Sequence, residues 1–292
     1  MKVGFIAILG RPNVGKSTLL NALLSKKVSI VTPKAQTTRD AIMGILTEKD
    51  YQMVFVDTPG IHRGDLRLDK AMRRSAFDSA KGVNAILYLI DASSRSLDAD
   101  LRIAGSLDKD SPLIFVLNKI DLVRPEVGQE IKQTLAASFP DSPIIEASLI
   151  ENFGLRQIKD AVLPTLEEGE PYYPEDWVTD KDRAYQAKEV IREQMLLLYR
   201  QEIPHQAAVS IDSIEEKEGK LYLKATIYVS REAHKGIVIG KGGEAIRSLR
   251  LSSTKELARM WHKEIAALNM QVVCDPSWRD DPKKLSLLGY GE

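Results

Sequence analysis

Cysteine is nearly absent: Cys274 stands alone in 292 residues, so no internal disulfide can hold the fold. The alternating, apolar stretch around this cysteine, Met270, Val272 and Cys274, reads as a buried structural thiol in a reducing compartment. Charge of either sign in excess is also missing. Lys plus Arg equals Asp plus Glu at 41 each, so the total predicts no attraction to a polyanion. Long apolar runs are missing too. The longest, Ala85 to Ile90 and Leu113 to Leu117, fall far short of the roughly twenty residues that cross a bilayer. Met1 to Leu9 is apolar but has no charged leader or cleavage site and runs into a glycine loop, so no export signal is expected. What remains, 43% hydrophobic and 28% charged residues, is ordinary for globular chains and excludes collagen-like, coiled-coil and disordered classes. The length suggests two domains, each with its own core.

From Val3 to Leu163, short apolar runs alternate with helical patterns, as in an α/β sheet covered on both faces. Strands are expected at Phe5 to Leu9, Met53 to Asp57, Ala85 to Asp91, Leu113 to Asn118 and Ile144 to Ala147. Helices are expected near Lys16 to Leu24, Asp69 to Ser79, Asp98 to Leu107, Val127 to Ser138 and Leu155 to Val162. One antiparallel strand breaks the pattern: Ala41 to Thr47 and Tyr51 to Asp57 flank the turn Glu48-Lys49-Asp50 and predict a hairpin. Seven acids and two prolines between Glu167 and Asp182 read as a linker. Beyond it comes a helix (Asp182 to Arg200), then strands at Ala207 to Ile214 and Lys220 to Val229. Two short helices meet at Gly240 to Gly243, followed by a longer helix (Ser253 to Ala267) and a last strand (Met270 to Cys274). Clean alternation in Leu221 to Val229 marks a half-covered sheet, hence an α+β domain. The expected divisions are 1–166, an acidic linker at 167–181, a second domain at 182–276 and a tail at 277–292.

Gly10-Arg11-Pro12-Asn13-Val14-Gly15-Lys16-Ser17, continued by Thr18, matches the P-loop pattern between a strand and a helix. Glycines let backbone amides close around phosphate oxygens, and the helix start favours negative charge. Lys16 would reach the terminal phosphates and Ser17 would ligate Mg²⁺. Asn118-Lys119-Ile120-Asp121 ends a later strand. The Asp121 carboxylate offers only acceptors, which suits the N1–H and N2 amino donors of guanine and disfavours adenine. Lys119 can lay its stem on the base, and Asn118 can tie the loops together or reach the base edge. In Asp57-Thr58-Pro59-Gly60, Asp57 would hold Mg²⁺ through water and the Gly60 amide would sense the γ-phosphate. Gln36 to Asp40 supplies a further hydroxyl ligand for the ion, Thr38 in preference to Thr37. Ala147-Ser148-Leu149 offers backbone to the guanine oxygen.

These segments, in this order, resemble the translation-factor-related GTPases, and Gln-Thr-Thr-Arg with Asp-Thr-Pro-Gly-Ile-His resembles the Era family closely. The chain departs from that pattern at Ala147-Ser148, where the family usually has Ser-Ala, so the resemblance implies a backbone contact there and does not carry over a side-chain role. Position 61 is Ile, where many GTPases place a water-orienting Gln, so slow intrinsic turnover is expected, with Lys16, Thr38 and Gly60 as the catalytic set. The resemblance implies that Asn13 helps bind K⁺ near the phosphates; as a turn residue, Asn13 needs no such role. His62 reads as a surface residue in preference to a base.

Ile237 to Ile246 contains a Gly-X-X-Gly turn, Gly240-Lys241-Gly242-Gly243, between helical segments. Such a loop meets nucleic-acid phosphates while flanking aliphatics, here Ile237 and Ile239, line a groove for unstacked bases. Its setting in a helix-strand-strand-helix-helix-strand order resembles a type II KH domain. Arg231 to Lys263 carries eight basic and three acidic residues, with Lys235, Lys241, Arg247 and Arg250 as expected phosphate contacts. Trp278, with Arg279, Lys283 and Lys284, could stack on RNA or dock on its own domain.

The fold expected is therefore an α/β P-loop NTPase domain, a mostly parallel sheet with one antiparallel strand, followed by an α+β type II KH domain. This order resembles the Era family over nearly the whole chain. The resemblance implies a GTP-hydrolysing ribosome-assembly factor, acting on GTP and GDP, that binds the 3′ end of 16S ribosomal RNA on the 30S subunit. It also implies the bacterial cytoplasm and peripheral contact with the inner membrane face, with no transmembrane segment. GTP would order loops at residues 33–40 and 58–70 and control RNA access. A phosphotransferase with an oligomerisation module, or a GTPase whose second domain binds protein, are the alternatives.

Overall fold

The computed structural model describes residues 1–32, 41–58, 81–94, 96–107, 110–199 and 203–278. Contacts divide the chain into Met1–Asp180 and Lys181–Glu292. The expected helix at Asp69 to Ser79 lies outside the described residues, as do Thr38, Pro59, Gly60, Ile61, His62 and the tail cations Arg279, Lys283 and Lys284. Among the described residues, no helix is long and apolar enough to cross a membrane.

The first unit is built on a sheet of β1 (Lys2–Gly10), β2 (Ile42–Glu48), β3 (Tyr51–Asp57), β4 (Ala85–Asp91), β5 (Leu113–Asn118) and β6 (Ile144–Glu146). Their order is β2-β3-β1-β4-β5-β6, and every pairing is parallel except β2 with β3. That hairpin pairs Glu48 with Tyr51 and Ile42 with Asp57, so its register delivers Asp57 to the end of the sheet where β1 opens into the glycine loop. Strand β4 is fully buried from Ala85 to Ile90 and almost wholly apolar there, as a central parallel strand must be. Helices α1 (Lys16–Leu24), α2 (Asp98–Gly105), α3 (Pro125–Ser138) and α4 (Leu155–Val162) complete the described part of the unit.

The stretch expected to be a linker is docked along this sheet. Strand β7 (Glu167–Glu168) pairs antiparallel with β1, and the Tyr172 ring sits 4.8 Å from that of Phe5. Gln52 and Tyr173 exchange two hydrogen bonds, at 2.8 and 3.0 Å. Amides on β2 then use the strap as a partner: Ile45 N–H donates to the Val178 carbonyl and Met43 N–H to Asp180 Oδ1. Glu167, Glu168, Glu170, Glu175 and Asp176 are exposed. Their charge gave the segment its linker-like composition, while its backbone and aromatics cover a strand edge that would otherwise leave polar groups unpaired.

In the second unit, α5 (Arg183–Leu198) begins at Asp182, whose carboxylate caps the Tyr185 amide at 2.7 Å. It packs with a sheet ordered β10-β9-β8, formed by β8 (Ala207–Lys217), β9 (Lys220–Val229) and β10 (Ile265–Cys274). Helix α6 (Glu232–Ile239) leads into the Gly240–Gly243 loop and α7 (Glu244–Trp261) out of it. The sequence predicted a break within α7 and a helix reaching Ala267. Neither occurs. Leu249, Ser253 and Leu257 recur at four-residue spacing and are all buried, which holds one continuous helix on the core. Serines along this helix bond back into it, Ser252 Oγ donating to the Leu249 carbonyl and Ser248 Oγ to that of Glu244. His262, at φ 50°, ends it, and the following residues join β10, which pairs parallel with β9. Cys274 is half-buried; partial burial and the Glu232 carboxylate push its thiol pKa up. Trp278 is buried against Ala208 and Tyr228, so of the two roles weighed for it the structure has it docked on its own unit.

Candidate nucleotide site and nucleic-acid groove

At the carboxyl end of β1 the chain turns through Gly10 at φ 145° and Gly15 at φ 108°, with Asn13 also left-handed at φ 62°. A Cβ at Gly10 would lie 2.6 Å from the Leu89 carbonyl oxygen, and one at Gly15 would lie 2.5 Å from Asn118 Nδ2. Glycine is thus required here by both conformation and space. Lys16 opens α1 and folds back, donating to the Gly10 and Arg11 carbonyls at 3.2 and 2.9 Å. Burial lowers its pKa to about 8, against the pull of Asp57. Arg11 pairs with the buried Asp100 at 3.3 Å, and the Tyr88 hydroxyl donates to the other oxygen of that carboxylate. Pro12, Ser17 and Thr18 are half-buried and Val14 is buried.

Asp57, fully buried at the end of β3, accepts from Ser17 Oγ at 2.7 Å and Ser29 Oγ at 3.1 Å, both through Oδ2. Its Oδ1 is buried with no hydrogen-bond partner. Burial raises the carboxyl pKa, opposed by Ser17, Lys16 and Ser29. A buried carboxylate oxygen without a donor, beside a hydroxyl, fits a hard cation that takes oxygen ligands. Among the described residues no cluster of His, Cys, Asp or Glu could by itself hold a metal. An ion here would therefore complete its shell with phosphate and water oxygens. Thr58, next in the chain, is buried and braces the sheet: its hydroxyl donates to the Ile8 carbonyl and ties the end of β3 to β1.

Asn118 ties loops together, donating to the Val14 carbonyl at 2.8 Å and accepting from the Leu149 amide at 3.2 Å. Lys119, left-handed at φ 62°, reaches the Asn13 carbonyl at 3.0 Å and Asp91 Oδ2 at 2.5 Å. Asp91 was missed in the sequence; its only signal is its place at the end of β4, opposite Asn118 in the register. Burial pushes the Asp91 pKa up, but the bonds from Lys119 and Ser93 outweigh it and leave it lowered. Asp121 is exposed and makes no hydrogen bond to a described residue, so both oxygens are open to donors. Ala147, Ser148 and Leu149 are buried, and their amides already bond to Leu117, Phe153 and Asn118, the Ser148 contact being the longest at 3.3 Å.

Residues 5–119 match the family described as 50S ribosome-binding GTPase, and residues 202–273 match the KH domain family. GTPase Era of Fusobacterium nucleatum subsp. nucleatum is 42% identical over 296 residues, covering all of both chains. The chain belongs to the Era family of GTPases. Era of Thermoanaerobacter sp. (strain X514) is 39% identical over 292 residues, 99% of this chain and 96% of that one. A crystal structure of Era in complex with MgGDPNP and nucleotides 1506–1542 of 16S ribosomal RNA superposes with a TM-score of 0.91 at 36% identity, over the full length of both. A single-substitution variant of Aquifex aeolicus Era bound to GDP·AlF4⁻ gives the same score at 35% identity. GTP hydrolysis is thus the activity of this Era-family chain, and Mg²⁺ is the metal that goes with it.

The KH unit of the Era family here presents Gly240, Gly242 and Gly243 at φ 74°, 60° and 80°. A Cβ at Gly240 would meet Ala245, whereas one at Gly242 or Gly243 would meet nothing within 4 Å. Gly243, Arg247 and Arg250, all expected from the sequence, line a groove of about 260 Å³ with Ile246 and Met270, which were not. Met270 could have been found from its alternating position on β10, opposite Ala225. Lys235, Ile237, Ile239, Gly240, Lys241 and Gly242 do not line that groove; Lys241 and Gly242 are exposed, as is Ile237 at 51%. Lys235, Lys241, Arg247 and Arg250 form no ion pair with a described residue.

Proposed function

We propose that this chain binds guanine nucleotide at Gly10 to Thr18 and binds the 3′ end of 16S ribosomal RNA beside Gly240 to Gly243, as a 30S assembly factor. Carrying the RNA half is the groove itself: two arginines with no ion pair among the described residues, two apolar side chains and Gly243 of the glycine loop meet there, the combination that holds phosphates and unstacked bases. The named 16S segment in the Era complex supports the choice of target. At the nucleotide, the loop amides would surround the phosphates and Lys16 would leave its carbonyls to meet the terminal ones. Ser17, Thr38 and Asp57 would hold Mg²⁺, which when bound draws charge off the β- and γ-phosphates. Lys119 would lie along the base, Asp121 would receive its N1–H and N2 donors, and the 147–149 backbone would face its oxygen, with Asn118 as the tie between loops. Pro59 and Gly60 would follow the γ-phosphate and, with Ile61 unable to orient water, turnover without a stimulus would be slow. Through residues 33–40 and 58–70, GTP would control RNA access.

A K⁺ ion beside Asn13 belongs to the same reading. It is checked by replacing KCl with NaCl in a turnover assay, where an unchanged rate removes it. Cytoplasmic residence follows from the ribosomal target, and attachment to the inner membrane face is checked by flotation with anionic vesicles. For the nucleotide half, the decisive substitution is Asp121→Asn. Preference should move from GTP towards XTP, whose C2 carbonyl needs a donor, whereas unchanged selectivity takes Asp121 out of the base site.

A further inference from the structure

Helix α1 supports Asp57 twice. Ser17 donates directly to Oδ2 at 2.7 Å. One helical turn on, and so on the same side of α1, Asn21 holds the second donor in place. Its Oδ1 accepts from the Val28 and Ser29 amides at 2.9 and 3.0 Å, and its Nδ2 donates to the Ser29 carbonyl at 2.7 Å. Both backbone polar groups of Ser29 are thus fixed by one side chain. Ser29 is 1% exposed, and its hydroxyl reaches Asp57 Oδ2 at 3.1 Å. Two donors on a single oxygen fix the rotation of the carboxylate. The oxygen left over, Oδ1, is buried and unpartnered. A buried acceptor without a donor is costly unless something else fills the role.

We propose that Ser29, fixed by Asn21, is a positioning residue that aims Asp57 Oδ1 and thereby sets how strongly Mg²⁺ is retained under a bound guanine nucleotide. Groups behind a metal's own ligands commonly tune its affinity in this way. The Ser29 hydroxyl reaches Asp57 and so acts through that carboxylate, and the inference rests on the reading of Asp57 as the carboxylate facing the ion. Asn21 belongs to the same device.

Release of a fluorescent N-methylanthraniloyl GDP from the full chain, followed over a series of free Mg²⁺ concentrations and in EDTA, tests this. Ser29→Ala should move the Mg²⁺ concentration for half-maximal retention upward by about tenfold. Its release rate in EDTA should stay within about twofold of the parent, because the lost support acts only through the ion. Asn21→Ala should shift the half-point the same way, and the double variant should add little, as expected for residues acting in series. If Asp57→Asn shifts the half-point and Ser29→Ala does not, the role of Ser29 is wrong while the site stands. Should Asp57→Asn leave it unmoved, the reading of the site itself fails. Faster release by Ser29→Ala in EDTA to the same degree as in Mg²⁺ would make Ser29 a general support of the loop and overturn the proposal.

Discussion

Two glycine loops, each opening a helix, do opposite things with the same residue. At Gly10 and Gly15 the chain is enclosed: an added Cβ would strike the Leu89 carbonyl or the Asn118 amide, and further loops stand over the site. At Gly242 and Gly243 an added Cβ would meet open space, so only the left-handed backbone asks for glycine. The enclosed loop suits a small ligand surrounded on several sides. Open loops suit a polymer whose backbone must pass by, with contacts coming from Arg247 and Arg250 alongside. Only at Gly240, packed against Ala245, does the second loop resemble the first.

Substituting Gly15 by Ala should have the largest effect. Left-handed strain costs about 1–3 kcal/mol, and overlap with Asn118 costs about as much again. Nucleotide affinity should then fall by about a hundredfold or more, measured by equilibrium titration with labelled GDP. Full affinity would break the contrast. Smaller and confined to RNA, Gly242→Asp places a negative charge where phosphates pass, worth about tenfold in affinity. GTP hydrolysis should persist, and Gly242→Ala, with no clash, should change RNA affinity by no more than about twofold despite roughly 1 kcal/mol of backbone strain. Equal losses from Ala and Asp would show the second loop to be as enclosed as the first. Smallest of all, Arg247→Ala and Arg250→Ala should each flatten the dependence of log affinity on log salt by about one. An unchanged slope would place the phosphates elsewhere.

The features legible in the sequence were those carried by local spacing. The glycine loop between strand and helix, the Asn118 to Asp121 strand end and the β2–β3 hairpin all depend on neighbours a few residues apart. Long-range partnerships were not legible. Ser29, Asp91 and Asp100 acquire their roles from residues 28 to 89 positions away, and no short pattern marks them. The segment 167–180 failed for a related reason: its acids suggested solvent, whereas its backbone completes a strand edge. The single helix α7 was hidden because serine suggests a cap when only neighbours are known, and burial of Ser253 among leucines decides otherwise. Neutrality of the total would by itself conceal the groove, and only the local excess from Arg231 to Lys263 points to it. The basic residues around Gly240 to Gly243 are cancelled in the total by acids such as those exposed on the strap.

The central claim is that one chain hydrolyses GTP and holds the 16S 3′ end through its open glycine loop. It is tested most directly by binding an oligoribonucleotide of that 3′ sequence, against a scrambled control, with a nonhydrolysable GTP analogue or GDP present. The expected result is preference for the 3′ sequence, stronger with the GTP analogue and lost in Gly242→Asp. Equal affinity for the scrambled RNA, the same affinity in both nucleotide states, or full retention in Gly242→Asp would contradict it.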